Sequence, residues 1–363
     1  MSPLVDEILD EQIQRTSDPE LTGDWPHERL ASLREAGVFR WGLPVEFGGQ
    51  VVTTPQLLEG YLELARLCLT TAFILTQRDA ACHRIANSSN LELRQTLLPD
   101  HCSGRALATV GISHLSTSRQ HWSRPSVIAR PTADGYELTG EAPWVTGARH
   151  ADLLVTGASV ESGEQILVAI PTQRDGVHVG EPLKLLALNA SMTGSVMLNR
   201  VAVRTDEIVA GPAAQVMKIG ATGGTGSLTT TAVALGAASR TLDGLRAEAA
   251  ARPDLVDVVN SFTNELTRLR TDLVDAATGG ESVSINVRTP AELLRHRANS
   301  LAARAAQAFV CSAKGAGFVS GHSAEQSLRQ AMFFQVWSCP AAVTKETLIE
   351  LATGTKYTSR GHA

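Results

Sequence analysis

SVIARPTADGYELTGEAPWVTGA, residues 126–148, decides the fold. Apolar and polar residues alternate on both sides of Asp134-Gly135, a dipeptide suited to a tight hairpin turn, so the stretch predicts two antiparallel strands. Downstream, ADLLVTGASV (151–160) and QILVAIP (165–171) are apolar β-type runs, and GSVMLNRVAVRT (194–205) alternates again. Short strands at this spacing predict a small antiparallel barrel or sandwich over residues 107–212.

On either side the pattern is helical. Leu30, Leu33 and Val38 repeat at helical intervals after Pro26, and Gly37 supplies a stop. Leu4, Ile8 and Ile13 have looser helical spacing. RWGLPVEFGGQ (40–50) breaks the pattern with Pro44 and Gly48-Gly49. Helical character resumes over 56–87 as one long helix or two, with a shorter helix over 93–98. Beyond residue 212 come four candidate helices, over 227–251, 256–278, 289–313 and 323–337, with breaks at Gly279-Gly280 and over 315–317. Their short connections predict an antiparallel bundle. The expected fold is α+β, mainly α: an N-terminal helical domain (1–106), a central β domain (107–212) and a C-terminal four-helix bundle (213–363).

Bulk properties narrow the function. A chain of 363 residues exceeds what one hydrophobic core usually organises. The net charge of −5 excludes a basic surface for nucleic acid or a polybasic membrane signal. Five cysteines with no C-x-x-C spacing point to reduced thiols in a cytoplasmic protein rather than a metal site. The N-terminal MSPLVDEILDEQIQ is acidic and amphipathic, unlike a signal peptide. No apolar run approaches the ~20 residues of a membrane span. ATGGTG (221–226) lacks a preceding strand and the P-loop lysine, so it reads as a loop or helix start.

Four strings, in order, resemble the acyl-CoA dehydrogenase family: LREAGVFRWGLPVEFGG (33–49), DGYELTGEAPWVTGARHADLLVTGA (134–158), SVMLNRVAVRTDEIVAG (195–211) and KGAGFVSGHSAEQSLRQA (314–331). The resemblance implies a flavoprotein oxidoreductase with FAD as cofactor, assembled as a homodimer or homotetramer. In that family a tryptophan packs on the flavin ring and a nearby hydroxyl bonds the N5 edge; Trp144 and Thr146 match those positions. Two strand residues at i and i+2 share a face, which suits the pair. A core tryptophan beside a surface threonine is the plainer alternative. Ser113 matches a family threonine at the ring edge, while His114 replaces a glutamate and reads as a surface or structural imidazole. On the adenosine side the resemblance implicates Arg252, Lys314 and Gly315, with Cys311 where the family has glutamine. Arg252 corresponds to an arginine that reaches the pyrophosphate of a neighbouring subunit. Cys339 is carried with them as a cofactor-contacting position.

The family's catalytic glutamate is missing. Ser338 stands at its usual place, and the alternative place, at Gly226-Ser227-Leu228, has no carboxylate either. Serine is too weak an acid to act as a base unaided. Cys339 would need a cationic neighbour, and none is adjacent in sequence. The helix TTAFILTQRDAACHRIA (70–86) aligns with the family's acyl-pocket helix and carries Asp79 and His83 four residues apart, on one face. That pair either acts as a base or grips a polar substrate; the plainer alternatives are a buried structural ion pair of Arg78 with Asp79, or the helix's solvent face. The implied substrate is an acyl thioester, on CoA or a carrier protein, with an electron acceptor as partner. Flavin monooxygenases of this fold also lack the glutamate and are fed by a flavin reductase, which gives a second reading. A non-catalytic interaction subunit is a third.

Overall fold

The computed structural model describes residues 19–116, 125–220, 227–278 and 291–354. The spacing at Leu4, Ile8 and Ile13, the 221–226 glycine stretch and Gly279-Gly280 lie outside them. The chain divides into two compact units, one of Met1–Leu57 with Thr70–Gly224 and one of Leu58–Leu69 with Thr225–Ala363.

In the first unit a short α1 (Pro19–Thr22) precedes α2 (His27–Glu35). Gly37 then adopts φ 81°, a conformation open to glycine and strained for other residues, so it ends the helix as its sequence position predicts. The 56–87 pattern resolves into two helices, α3 (Thr54–Leu67), which from Leu58 onward belongs to the second unit, and α4 (Leu69–Ala86). Next comes α5 (Leu91–Ser103), whose first turn is capped by the Asn90 side chain accepting from the Leu93 N–H at 3.1 Å.

Among the described residues the sheet has eight strands: β1 (Ala108–Gly111), then the short α6 (Ser113–Ser116), β2 (Val127–Pro131), β3 (Gly135–Val145), β4 (Leu153–Val160), β5 (Gln165–Pro171), β6 (Val177–Val179), β7 (Gly194–Arg204) and β8 (Ile208–Ala213). Its order is β6-β7-β3-β2-β4-β5-β8, with β1 added on β4. The predicted hairpin forms, with Pro131 opposite Tyr136. The expectation of an all-antiparallel sheet needs correcting, because β4 pairs in parallel with both β1 and β2. Successive side chains of β5 enter two different cores. Leu167 and Ala169 pack with Ala81, Cys82, Ile85, Leu93 and Leu98 of α4 and α5, whereas Ile166, Val168 and Ile170 pack with Val127, Leu138, Val196 and Val201. β4 divides its residues the same way. A strand covered on both faces has no polar side, which is why these two read as continuous apolar runs.

The second unit holds α7 (Leu228–Ala251), α8 (Val256–Thr278), α9 (Ala291–Ala313), α10 (Ser323–Phe333) and α11 (Ala341–Thr353). The first four match the expected bundle; α11 is additional and starts directly after Pro340, whose fixed φ suits a helix entry. α9 packs against α7, α8, α10 and α11. Among the described residues no helix is long and apolar enough to cross a membrane, and no cluster of metal-ligating side chains occurs.

At Gly236 of α7 a Cβ would stand 2.1 Å from the Leu62 carbonyl oxygen of α3. Helix propensity alone favours Gly→Ala by about 1 kcal/mol. A backbone carbonyl cannot swing aside as a side chain can, so Gly236→Ala should instead destabilise the protein by about 1–3 kcal/mol, the usual range for overpacking. Denaturant unfolding checks the sign; a raised midpoint would show that the two helices do not meet this closely.

Candidate functional site

The end of β3 is irregular. Its register with β7 slips between Ala142 and Val145, and Trp144 takes φ 58°, a left-handed conformation unfavourable for a large side chain. The left-handed residue reverses the normal alternation, so the shared face expected for Trp144 and Thr146 does not form: Trp144 is 51% exposed and Thr146 only 2%. The Thr146 hydroxyl joins a buried chain, 3.0 Å from the Thr193 hydroxyl, which is 2.8 Å from that of Ser191. From the other side Thr109 donates to the Thr146 carbonyl at 2.7 Å. The Ser113 hydroxyl donates to the Pro143 carbonyl at 3.0 Å, one residue before Trp144. Ser113, Trp144 and Thr146 are thus gathered round one strand end. His114 is buried, its Nε2 3.0 Å from the Gly157 carbonyl, in the structural role expected of it.

Trp25 and His150 also belong here. A Cβ on Gly147 would come within 2.5 Å of the Trp25 ring, and Trp25 stacks on His150 at 4.4 Å between centroids. His27 meets His150 edge-on at 5.3 Å. Nothing in local sequence links these residues; only the fold brings them together.

On α4, Arg78 is 1% exposed and pairs with Asp79 at 2.5 Å. It also donates to the His101 carbonyl and lies over the Phe39 ring at 4.7 Å from its centroid. Asp79 is therefore held in the structural ion pair. His83 is half-buried, its Cε1 3.2 Å from where a Gly42 Cβ would stand. Burial pushes the His83 imidazole below its ordinary range; the Asp79 charge opposes this and Arg78 adds to it. The ring is neutral at neutral pH, so it can accept a proton.

In the second unit Arg252 caps α7 and donates to the Ser312 carbonyl at 2.8 Å and to the Asp254 carboxylate at 3.1 Å. Lys314 has φ 54°, and Gly315 leads into the turn Ala316–Phe318, which leaves Phe318 80% exposed. Ser338 is left-handed as well, at φ 50°. The Cys339 Sγ lies 3.1 Å from the Phe334 carbonyl and accepts from Asn299 Nδ2 at 3.5 Å. The cation that sequence does not place beside Cys339 is supplied by the fold. Arg295 of α9 is 0% exposed, donates to the Trp337 carbonyl two residues before Cys339 at 2.9 Å, and lies one helical turn from Asn299, the donor to the Cys339 sulfur. Burial brings Arg295 down to about 10, against the pull of Cys339, so it stays cationic at neutral pH.

Comparison with known proteins fits this architecture. Residues 2–105 match the acyl-CoA dehydrogenase N-terminal domain. A probable acyl-CoA dehydrogenase of Bacillus subtilis (strain 168) is 22% identical over 334 residues, 87% of this chain and 87% of that protein. A dibenzothiophene monooxygenase of Mycolicibacterium goodii is 25% identical over 233 residues, 58% of this chain and 55% of its own length. Among solved structures, a glutaryl-CoA dehydrogenase from Mycobacterium smegmatis in complex with FADH2 superposes with a TM-score of 0.79 at 16% identity, covering 97% of this chain and 94% of its own. Dibenzothiophene monooxygenase TdsC from Paenibacillus sp. A11-2 does so at 0.78 and 17%, covering 99% and 98%. The helices and sheet described above are thus those of the acyl-CoA dehydrogenase fold. The chain thus has the acyl-CoA dehydrogenase fold and is similar in sequence to acyl-CoA dehydrogenases and to dibenzothiophene monooxygenases.

Removing one partner of a buried ion pair leaves an uncompensated charge, at a cost of about 3–5 kcal/mol. Asp79→Asn should therefore lower stability by about that much, while His83→Gln, which leaves the pair intact, should cost about 1 kcal/mol or less. Thermal or denaturant unfolding separates the two. An Asp79→Asn protein as stable as the wild type would show that the carboxylate is not what balances Arg78.

Proposed function

We propose that the chain binds FAD and oxidises an acyl thioester, on CoA or a carrier protein, or a related carbonyl compound. The observation that carries this is Trp144: a strained backbone turns an indole out to solvent at a strand end where two hydroxyl groups converge. Strain of this kind persists where function requires it. The fit to a flavin is reasonable on donor chemistry. The indole offers a flat apolar face, and the Ser191–Thr193–Thr146 hydroxyl chain can orient one donor toward a ring edge. Relatives of this fold carry FADH2 in one case and FMN in another.

The flavin, when bound, supplies a two-electron acceptor. The chain's own residues do the rest. Trp144 covers the ring and excludes water from one face. Ser113 and Thr146 hold its polar edge. Arg252, Lys314 and Gly315 take the pyrophosphate and adenosine half, contributed by a second copy of the chain in a homodimer or homotetramer. Arg252 already presents a fork to a carbonyl and a carboxylate, the geometry a pyrophosphate would use. The Asp79–His83 face handles the proton: His83, neutral, accepts it, and Asp79 favours the charged imidazole that results. Ser338 takes no proton. A flavin held there would need an electron acceptor as partner.

The absence of a carboxylate at Ser338 favours a second reading, a monooxygenase of the same fold supplied with reduced flavin by a partner reductase. In that case no α proton is removed, and His83 serves substrate binding. Anaerobic bleaching of the flavin by a panel of acyl thioesters supports the first reading; oxygen consumption with reduced flavin and no thioester supports the second.

For the cofactor, loss of one hydrogen bond near a charged edge costs about 1.5–3 kcal/mol, up to about a hundredfold in affinity. Trp144→Ala and Thr146→Ala should weaken FAD binding on that scale in a titration, and wild-type affinity in both would remove the basis of the assignment. Arg252→Ala should weaken FAD more than it weakens folding. A monomer by light scattering that retains full FAD affinity would refute the shared site.

A further inference from the structure

Cys339 occupies an unusual environment. Arg295 is wholly buried, and among the described residues its hydrogen bonds go to backbone carbonyls rather than to a carboxylate. Its guanidinium donates to the Trp337 carbonyl at 2.9 Å and to the Thr230 carbonyl, and lies over the Phe334 and Trp337 rings at 5.7 and 5.5 Å. Through the Trp337 carbonyl it sits two residues from Cys339, whose sulfur accepts from Asn299 one helical turn further along α9, and the Arg295 and Cys339 groups interact electrostatically. Two buried polar atoms remain without a hydrogen-bond partner among the described residues: Arg295 Nε, a donor, and Asn299 Oδ1, an acceptor. Asn299 is 1% exposed, and its other amide atom already donates to Cys339. The other four cysteines lack this setting; three are buried and Cys311 is exposed.

An orphan donor and an orphan acceptor in a cluster around one sulfur call for a group that both accepts and donates. A single oxygen on that sulfur, as Cys–S–O–H, is such a group. A cation beside a thiol also raises its nucleophilicity toward peroxides. We propose that Cys339 is a peroxide-sensitive modification site, which Arg295 activates and where Arg295 and Asn299 hold the sulfenic acid product. The reactant is a small hydroperoxide. Cys–SH and R–OOH give Cys–SOH and R–OH: the S–O bond forms as the O–O bond breaks. Sulfur is oxidised by two electrons, the peroxide is reduced, and the thiol proton leaves with the departing alkoxide. Arg295 acts through Cys339 and is a positioning residue. The proposal does not depend on flavin binding.

The test treats the purified full-length protein with hydrogen peroxide and traps sulfenic acid with dimedone. Peptide mass spectrometry then compares Cys339 with Cys311. Each signal is normalised to labelling of the same cysteine by iodoacetamide at high pH, which corrects for access. The expected result is labelling of Cys339 at least about tenfold faster than Cys311, falling to the Cys311 level in Arg295→Met. Asn299→Ala should form the adduct but lose it faster to further oxidation. Equal or slower labelling of Cys339 in the wild type, a Cys339 reached by neither reagent, or undiminished labelling in a folded Arg295→Met would overturn the proposal. If Arg295→Met does not fold, the wild-type ratio together with Asn299→Ala decides.

Discussion

Arg78 sits where three segments of the first unit converge. Its guanidinium takes the Asp79 carboxylate from its own helix, the His101 carbonyl from the last turn of α5 and the Phe39 ring from the turn after α2. A guanidinium at 1% exposure is tolerable only with its charge balanced, because an unpaired buried charge costs several kcal/mol. Each of the three segments must therefore be in place before the arginine can be covered. The same pairing fixes the roll of α4 about its axis, and this turns His83 toward Gly42 and sends Ala81, Cys82 and Ile85 into the core beneath the sheet. The position of the one neutral imidazole on that helix is a consequence of where the arginine had to go.

Much of this was legible in the chain. Helix and strand order followed from periodicity, because most elements have one face against a core. Gly37 and Asp134-Gly135 announced a stop and a turn for stereochemical reasons that hold wherever they occur. What escaped was either non-local or irregular. The parallel pairings of β4 join strands with no short connection between them, and β1 is four residues long, too short for alternation to show. α11, which opens after Pro340, is not among the four helices the periodicity predicts. The shared face of Trp144 and Thr146 assumed a regular strand, and the left-handed residue between Pro143 and Val145 cancels that assumption. Arg295 and Asn299 reach the Trp337 carbonyl and the Cys339 sulfur only through the packing of α9 against the loop after α10, contacts no window of sequence contains.

Trp144, Lys314 and Ser338 are all non-glycine residues with positive φ, and all three fall on stretches that the family resemblance marks. Such conformations cost about 1–3 kcal/mol each and survive where the surroundings over-determine them. At Trp144 the surroundings are visible: Ser113 holds the preceding carbonyl, and Thr109 the carbonyl two residues on. Strain and restraint occur together there, as expected of a loop whose shape matters more than its contribution to stability.

The double burial of β4 and β5 has a dynamic consequence. An edge strand can peel away and expose its amides while the rest of a sheet persists. β4 and β5 cannot, because each holds two cores shut at once, and displacing either opens the helical side and the sheet side together. Their amide protons can reach solvent only when the whole unit comes apart, so they form its slowest-exchanging segment, and the exchange rate of Val155 or Val168 reads out the global stability of that unit directly.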